Sequence, residues 1–293
     1  PGRQVVMFKV FAFLKRNTAL LSHDEYRAAH VGYHCGQSRR LKDIRGYMVN
    51  IWSNTPIRER LGDLYDEISF NEPDGFLDQW DGFPEVFFDN QQSWASSKEL
   101  EPTRAREEGL VLDPDWTLDE CPCIFDPVSP DDFRSCHLQM HEHVIKDVER
   151  EEKRIFKLMQ FYKKREGLSD KDFQHRVLTD YAPLLGFAES LQGFTVNFRD
   201  QDQASAMRGF IPDDAWGLSD DGVAHRSAFC EMWDGASALY FHNVDDFIAA
   251  RQARHEPMKV LEQALFSSTW YVEVDENMIV MPNRSPAPDF YYR

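Results

Sequence analysis

Two stretches of the chain, WDGFPEVFFDN at 80–90 and WDGASALYFHN at 233–243, are variants of one segment. The likeness extends outward from them. Phe8, Lys9, Phe13 and Lys15 match Phe156, Lys157, Phe161 and Lys163 at an offset of 148. Leu21, Ser22 and Tyr26 match Leu168, Ser169 and Phe173 at an offset of 147, as Gly46, Val49 and Asn50 match Gly193, Val196 and Asn197. Matches in one order over this length signal an internal duplication. Two copies are too few for a solenoid, so the reading is a tandem pair of similar domains, 1–150 and 151–293. The charged run KDVEREEK near 146–153 joins them, and SPAPDFYYR ends the second as an extended tail.

Each copy carries the same succession of signals. VVMFKVFAFLKR is rich in β-formers and reads as a strand. Ser22 and Glu25 have the capping-box spacing and open a helix, with Ser169 and Asp172 in the same places of the second copy. GYMVNIW and PEVFFDN read as strands, QQSWASSKEL starts a second helix, and HLQMHEHVIKD and TWYVEVDENMIVM supply the last strands. The order is β-α-β-β-α-β, that of ferredoxin-like folds. Such a sheet leaves one face uncovered, and two copies packed sheet to sheet would cover both. The expected class is therefore α+β, with long polar loops at 53–79, 100–135 and 200–224.

Composition narrows the partners. With 42% hydrophobic and 13% aromatic residues, the 293-residue chain is globular rather than disordered. A net charge of −17 argues against nucleic acid and against an anionic membrane surface. No apolar run is long enough to cross a bilayer, and the opening residues do not read as a signal peptide. Cys35, Cys121, Cys123, Cys136 and Cys230 are odd in number and lack framework spacing, which suggests reduced thiols, a cytoplasmic location and a packing role. Whether the chain forms a homo-oligomer stays open.

Several pieces together resemble the EthD-like family of the dimeric α+β barrel superfamily. These are Lys15-Arg16 at a strand end, Leu21-Ser22, Tyr26, His34 eight residues later, and Asp81-Gly82, Glu85, Phe87 and Phe88. The resemblance implies a barrel made of two ferredoxin-like units, here within one chain. It also implies lyase or isomerase chemistry (dehydratase, decarboxylase, cyclase or lactone isomerase) on oxygenated, aromatic-derived or polyketide-like small molecules, without metal or organic cofactor.

The copies differ where such chemistry would sit. His34 corresponds to Tyr181, and Glu85 to Ala238. The first half is thus expected to hold the working site and the second to be degenerate. Tyr26, His30 and His34, spaced i, i+4, i+8, share one helix face and match Phe173, Val177 and Tyr181. Histidine titrates near neutrality and can move a proton either way. His34 is the candidate general acid or base. Glu85 is its candidate partner, with a raised pKa if the cavity is dry. His30, Tyr26, Phe87 and Tyr181 are candidate substrate contacts. A metal reading starts from His30 and His34 with Glu85, or with His141 of the His137/His141/His143 group, as third ligand. A third reading is a small-molecule binding protein with an aromatic cavity and no functional proton donor.

Overall fold

The computed structural model describes residues 6–39, 41–97, 124, 135–150, 154–201 and 216–284. Eight strands carry the fold: β1 (Val6–Leu14), β2 (Gly46–Trp52), β3 (Gly82–Phe88), β4 (Ser135–Lys146), β5 (Phe156–Lys164), β6 (Leu191–Arg199), β7 (Gly235–Phe241) and β8 (Phe266–Val280). Their order is β1-β3-β2-β8-β5-β7-β6-β4, closed on itself, with every pairing antiparallel. The order repeats after four strands, as the sequence repeat requires.

This corrects the expected class. The sheets of two ferredoxin-like units do not lie face to face as separate layers. They join edge to edge into one closed barrel, because β4 hydrogen-bonds to β6 and β8 to β2. Closure leaves neither half with an open strand edge.

Strand alternation sorts the side chains into an inside and an outside. Phe11, Phe13, Phe83, Met140, Phe161, Trp233 and Trp270 belong to one buried cluster inside the barrel. Phe8, Val10, Val49, Val86, Phe88 and Trp94 pack in a separate cluster under the helices of the first half. Leu158, Tyr162, Val196, Phe198 and Tyr271 do the same in the second half. Both faces of the strands are therefore buried, and β3 is buried at every position.

The residues kept in both WDG segments make turns and caps. Asp81 N–H donates to Leu14 O and Asp234 N–H to Tyr162 O, each at 2.9 Å. The Asp81 carboxylate accepts from Arg16 N–H and that of Asp234 from Lys164 N–H, each at 2.8 Å. Gly82 has φ +154°, and a Cβ there would lie 2.2 Å from Asn50 O, so only glycine fits. Asn90 and Asn243 both cap helices, accepting from the N–H of Ser93 and Asp246 at 2.9 Å. Ser22 forms the expected capping box with Glu25.

Two expected loops hold helices. Residues 53–79 contain Ile57–Leu61, Asp63–Ile68 and Phe76–Gln79. Ile57, Leu61, Leu64, Tyr65 and Ile68 pack on the second half's cluster, so the first half covers the sheet of the second. The helix Asp220–Cys230 carries Phe229 into the barrel's aromatic cluster. Of the expected loop at 100–135, only residues 124 and 135 lie among the described residues, and the tail SPAPDFYYR at 285–293 lies outside them.

Because each half needs the other's edges, fragments 1–150 and 151–293 are expected to assemble when co-expressed. The second fragment alone is expected to stay unfolded by circular dichroism. A cooperatively folded, monomeric 151–293 fragment would contradict the shared closure.

Candidate functional site

The sequence-predicted residues of the first half lie in two places, on opposite faces of the sheet. Glu85 points into the barrel and is 1% exposed. Its carboxylate receives Lys9 and Lys157, each at 2.5 Å, and Asn50 Nδ2–H at 3.0 Å. Lys9 also reaches Glu142 at 2.7 Å, and Lys157 reaches Glu276 at 2.9 Å. Glu142 is bound in turn by Arg284 at 2.6 Å, and Glu276 by Arg150.

The offsets expose the pattern. Lys9 and Lys157 are repeat partners, and 142 → 276 and 150 → 284 share an offset of 134. Two Lys–Glu–Arg chains, each with its lysine and glutamate from one copy and its arginine from the other, therefore meet at a single carboxylate. Phe87 lies between Lys9 (4.9 Å to its centroid) and Arg284 (5.5 Å), and its repeat partner Tyr240 lies between Lys157 (5.1 Å) and Arg150 (5.5 Å). Both rings serve as cation–π platforms.

Electrostatics reverses the expectation for Glu85. Burial works to raise its pKa, but Lys157 and Lys9 outweigh that and hold the carboxyl far below the usual range. Glu142 and Glu276 are lowered in the same way, against burial, by Lys9 with Arg284 and by Lys157 with Arg150. Glu85 is thus a permanent anion, unsuited to carry a proton at neutral pH.

The second place is the helix layer over the first half. The helix His23–Ala29 runs into a π-helical turn at His30–His34 and on into Cys35–Ser38. The second copy has the same π-turn at Val177–Tyr181, at the sequence offset of 147. The turn is therefore a feature of the fold, and what differs is what it presents. In the first half Tyr26 Oη lies 2.9 Å from His30 Nδ1, the His30 and His34 rings stand edge to face with centroids 5.2 Å apart, and His34 Nε2 lies 3.0 Å from Ser38 Oγ. The matching row of the second half is Phe173, Val177, Tyr181 and Leu185, all buried in its hydrophobic cluster.

Burial grades the polar row. Tyr26 and His30 are 1% exposed, while His34 and Ser38 are half-buried. Burial first, and the His34 ring second, push His30 well below the usual histidine range. Burial pushes the Tyr26 phenol well up. Both are neutral near pH 7. Tyr181, the candidate substrate contact of the second half, instead donates to Glu262 Oε1 at 2.8 Å and accepts from Gln160 Nε2 at 2.8 Å, with Arg251 on the other Glu262 oxygen at 2.7 Å.

The six candidate residues are thus divided. Tyr26, His30 and His34 are brought together, Glu85 and Phe87 belong to the barrel interior, and Tyr181 is tied into a separate buried network. The metal set is not assembled either. Glu85 lies inside the barrel, and His141 pairs with Asp200 at 3.0 Å. Among the described residues, no group of three or more His, Cys, Asp or Glu could hold an ion. Ser38 was missed, although its i+4 spacing from His34 on the same helix could have found it. Lys9 and Lys157 were seen only as repeat matches.

Two clefts open elsewhere. One of about 570 Å³ has Trp52, Tyr65 and Tyr271 in its wall with Arg58, Glu72 and Glu273. The Trp52 carbonyl accepts from His23 Nε2 (2.9 Å) and Arg27 Nη2 (3.2 Å), so this cleft abuts the first turn of the histidine-bearing helix. The other, of about 1100 Å³, lies between Asn71, Lys163 and Lys259.

No family model matches the sequence, and no curated protein matches it. Solved structures do resemble the fold over the whole chain. A proposed monooxygenase from Fusobacterium nucleatum subsp. nucleatum is 8% identical, with 97% of each chain covered and a TM-score of 0.47. An anthrone oxidase-like protein is 9% identical, with 96% of each chain covered and a TM-score of 0.46. A proposed monooxygenase from Lactobacillus acidophilus NCFM is 8% identical, covering 94% of this chain and 97% of its own, with a TM-score of 0.43. A likeness this distant carries no activity with it. Among the described residues, no helix is long and apolar enough to cross a membrane.

The ionic network yields a stability prediction. Glu85→Gln leaves two buried ammonium groups short of a counter-charge, so it should cost about 3–5 kcal/mol in urea unfolding. A loss below about 1 kcal/mol would mean that the carboxylate is not shared as described. The sign with pH follows from the lowered carboxyls. Their stabilisation is complete above the ordinary glutamate range and is lost as pH falls through the folded-state values. Unfolding free energy should therefore fall steeply in acid, and Glu85→Gln should flatten that slope.

Proposed function

We propose that the protein is an enzyme acting on a small organic molecule by proton transfer, with the Tyr26–His30–His34–Ser38 row of the first half as its working group. The observation that carries this reading is the contrast between the two π-turns. Equivalent backbone presents a row of hydrogen-bonding groups in one half and packed apolar core in the other.

His34 is the proton carrier in this reading, since it is the histidine of the row that is not fully buried. His30 is a positioning residue. Its neutral ring stands edge-on to His34, and Tyr26 fixes its orientation through Nδ1. Ser38 holds His34 Nε2. An imidazole oriented in this way can take a proton from a carbon or hydroxyl and return it elsewhere on the same molecule, which is isomerase or lyase chemistry. The EthD-like resemblance supports that reaction class and an oxygenated, aromatic-derived or polyketide-like substrate. Glu85 drops out of the mechanism, because a carboxylate bound by two ammonium groups has no proton to give and no free lone pair facing the helix layer.

A second reading, a non-catalytic binding protein, is favoured by the cleft walled by Trp52, Tyr65 and Tyr271. The two readings are separated by solvent-deuterium incorporation into oxygenated aromatic and lactone compounds that bind the protein. The enzymatic reading expects exchange at a carbon next to a carbonyl. His34→Ala should reduce that exchange by about 10²–10⁴ with the circular dichroism spectrum unchanged. Binding without exchange for every ligand, or exchange undiminished in folded His34→Ala, would overturn it.

Because His30 is neutral well below the usual histidine range, its protonation should appear only as a low-pH loss of rate, and His30→Gln should remove that limb. Tyr181→Phe should leave exchange unchanged. It should lower stability by about 1–3 kcal/mol, by removing the donor to buried Glu262.

A further inference from the structure

Glu273 stands apart among the carboxylates of the second half. It lies on β8, its side chain is 10% exposed, and it belongs to the wall of the cleft of about 570 Å³. One carboxylate oxygen, Oε1, accepts from Arg60 Nη1. The other, Oε2, is buried and has no hydrogen-bond partner among the described residues. A buried acceptor left without a donor is costly, and a donor brought to it relieves the penalty. The repeat shows that the fold does not ask for a charge at this place. Leu158 pairs with Glu273 in the register in which Val10 pairs with Gln139, and 139 → 273 has the same offset of 134 as 142 → 276. The matching place of the first half is thus filled by a buried neutral amide of the same length. The carboxylate is particular to the second half, where it lines the cleft.

Charge in the cleft runs one way. Its wall carries the carboxylates Glu72, Asp74 and Glu273 against one guanidinium, that of Arg58. Arg58 is already engaged. It lies over the Tyr65 ring, 4.6 Å from the centroid, and within 3.6 Å of Glu72 and 3.9 Å of Asp66. The Tyr65 hydroxyl donates to Glu72 Oε2 at 2.8 Å and fixes that carboxylate, as the Arg60 ion pair fixes Glu273. An anionic ligand would meet a surplus of negative charge. The chain's net charge of −17 adds a field that draws cations. Trp52, Leu77 and Val272 supply apolar wall against which a ring can lie. The volume lies within the range of small-molecule sites.

The geometry points to a binding site for an organic cation in this cleft: an aromatic amine whose ammonium group bonds Glu273 Oε2 and whose ring lies against Trp52 and Leu77. The ammonium supplies the donor that Oε2 lacks, in a charge-assisted bond. A neutral hydroxyl supplies a donor without the charge, and a carboxylate supplies neither. The site is separate from the Tyr26–His30–His34–Ser38 row. The assignment rests on the second reading, in which the cleft binds a small molecule, and not on the proton-transfer reading.

The test is titration calorimetry of the full chain with three probes that share an indole body: tryptamine, the neutral alcohol tryptophol and the anion indole-3-acetate. Tryptamine is expected to bind at a single site. Tryptophol should bind about tenfold more weakly, the difference between a charged and a neutral hydrogen bond, and indole-3-acetate should not bind. Glu273→Gln installs the residue type that the first half holds at this place. It should bring tryptamine down to the affinity of tryptophol and leave tryptophol unchanged. Thr55→Trp enlarges an exposed wall residue and should block both probes. If Glu273→Gln fails to fold, the ranking of the probes on the wild-type protein and their loss in Thr55→Trp decide. Tryptophol or indole-3-acetate binding as tightly as tryptamine would overturn the cation assignment, while the cleft would stand as a binding site. Absence of tryptamine binding at millimolar concentration would overturn the proposal. So would tryptamine affinity undiminished in folded Glu273→Gln or Thr55→Trp.

Discussion

The barrel depends on one carboxylate shared by two lysines. Lys9 and Lys157 are each 0% exposed, and each comes from the first strand of its own half. Closing the barrel brings these two ammonium groups to one Glu85 side chain. Without it, closure would set two desolvated like charges near each other, a costly arrangement in a low-dielectric interior. Glu142 accepts a second hydrogen bond from Lys9 and Glu276 one from Lys157, which also donates to Asn50 Oδ1, and Arg284 and Arg150 satisfy those carboxylates in turn. The set carries four cations against three carboxylates. The two arginines lie at its rim, with side chains 21% and 22% exposed, where solvent and the Phe87 and Tyr240 rings spread the surplus. The neighbouring stretch of the barrel is packed with Phe, Trp and Met, so the ionic tier has dry protein behind it.

The two divergences between the copies therefore have different causes. Alanine at 238 follows from sharing. Glu85 already serves Lys157, and a second glutamate would have no lysine of its own. It says nothing about which half works. The replacement of His30, His34 and Ser38 by Val177, Tyr181 and Leu185 is of another kind, because those side chains lie in the helix layer and no symmetry demands one copy of them. In the second half the layer is closed by apolar packing and by the Tyr181–Glu262–Arg251 network. In the first half it keeps a row of hydrogen-bonding groups that leads from buried Tyr26 to half-buried Ser38.

Much of this was legible in the sequence, and what was not has physical reasons. The strands were legible because Val, Ile and Phe runs are bounded by glycine and polar turns, and the caps because Ser22 with Glu25 and Asn90 have no better use than a helix start. Edge pairing was not legible. A strand's pattern reports its two faces, and sheets packed face to face present the same pattern as sheets joined by β4–β6 and β8–β2. The face of Glu85 was hidden for a related reason, since every residue of β3 is buried and apolar neighbours flank it on both sides. The lysines read only as repeat matches because a single buried lysine is rare, and their partners lie 76, 133, 72 and 119 residues away. The helices of 53–79 are four to six residues long, too short to show a period.

The same packing decides where chemistry can occur. A barrel of eight strands is just wide enough for side chains to fill, and this one is filled, by rings at one end and by paired charges at the other. Admitting a substrate there would mean breaking ion pairs buried beyond the reach of water. That leaves the space between sheet and helices, where the backbone is duplicated but the side chains are free to differ. The π-turn is what makes this layer useful. Its wider coil lets residues 30 and 34 stand side by side over the sheet, and the repeat retains it where no histidine remains. The duplication thus supplies a rigid frame common to both halves. Function can change within that frame by substitution at a few helix positions, at no cost to the carboxylate on which closure rests.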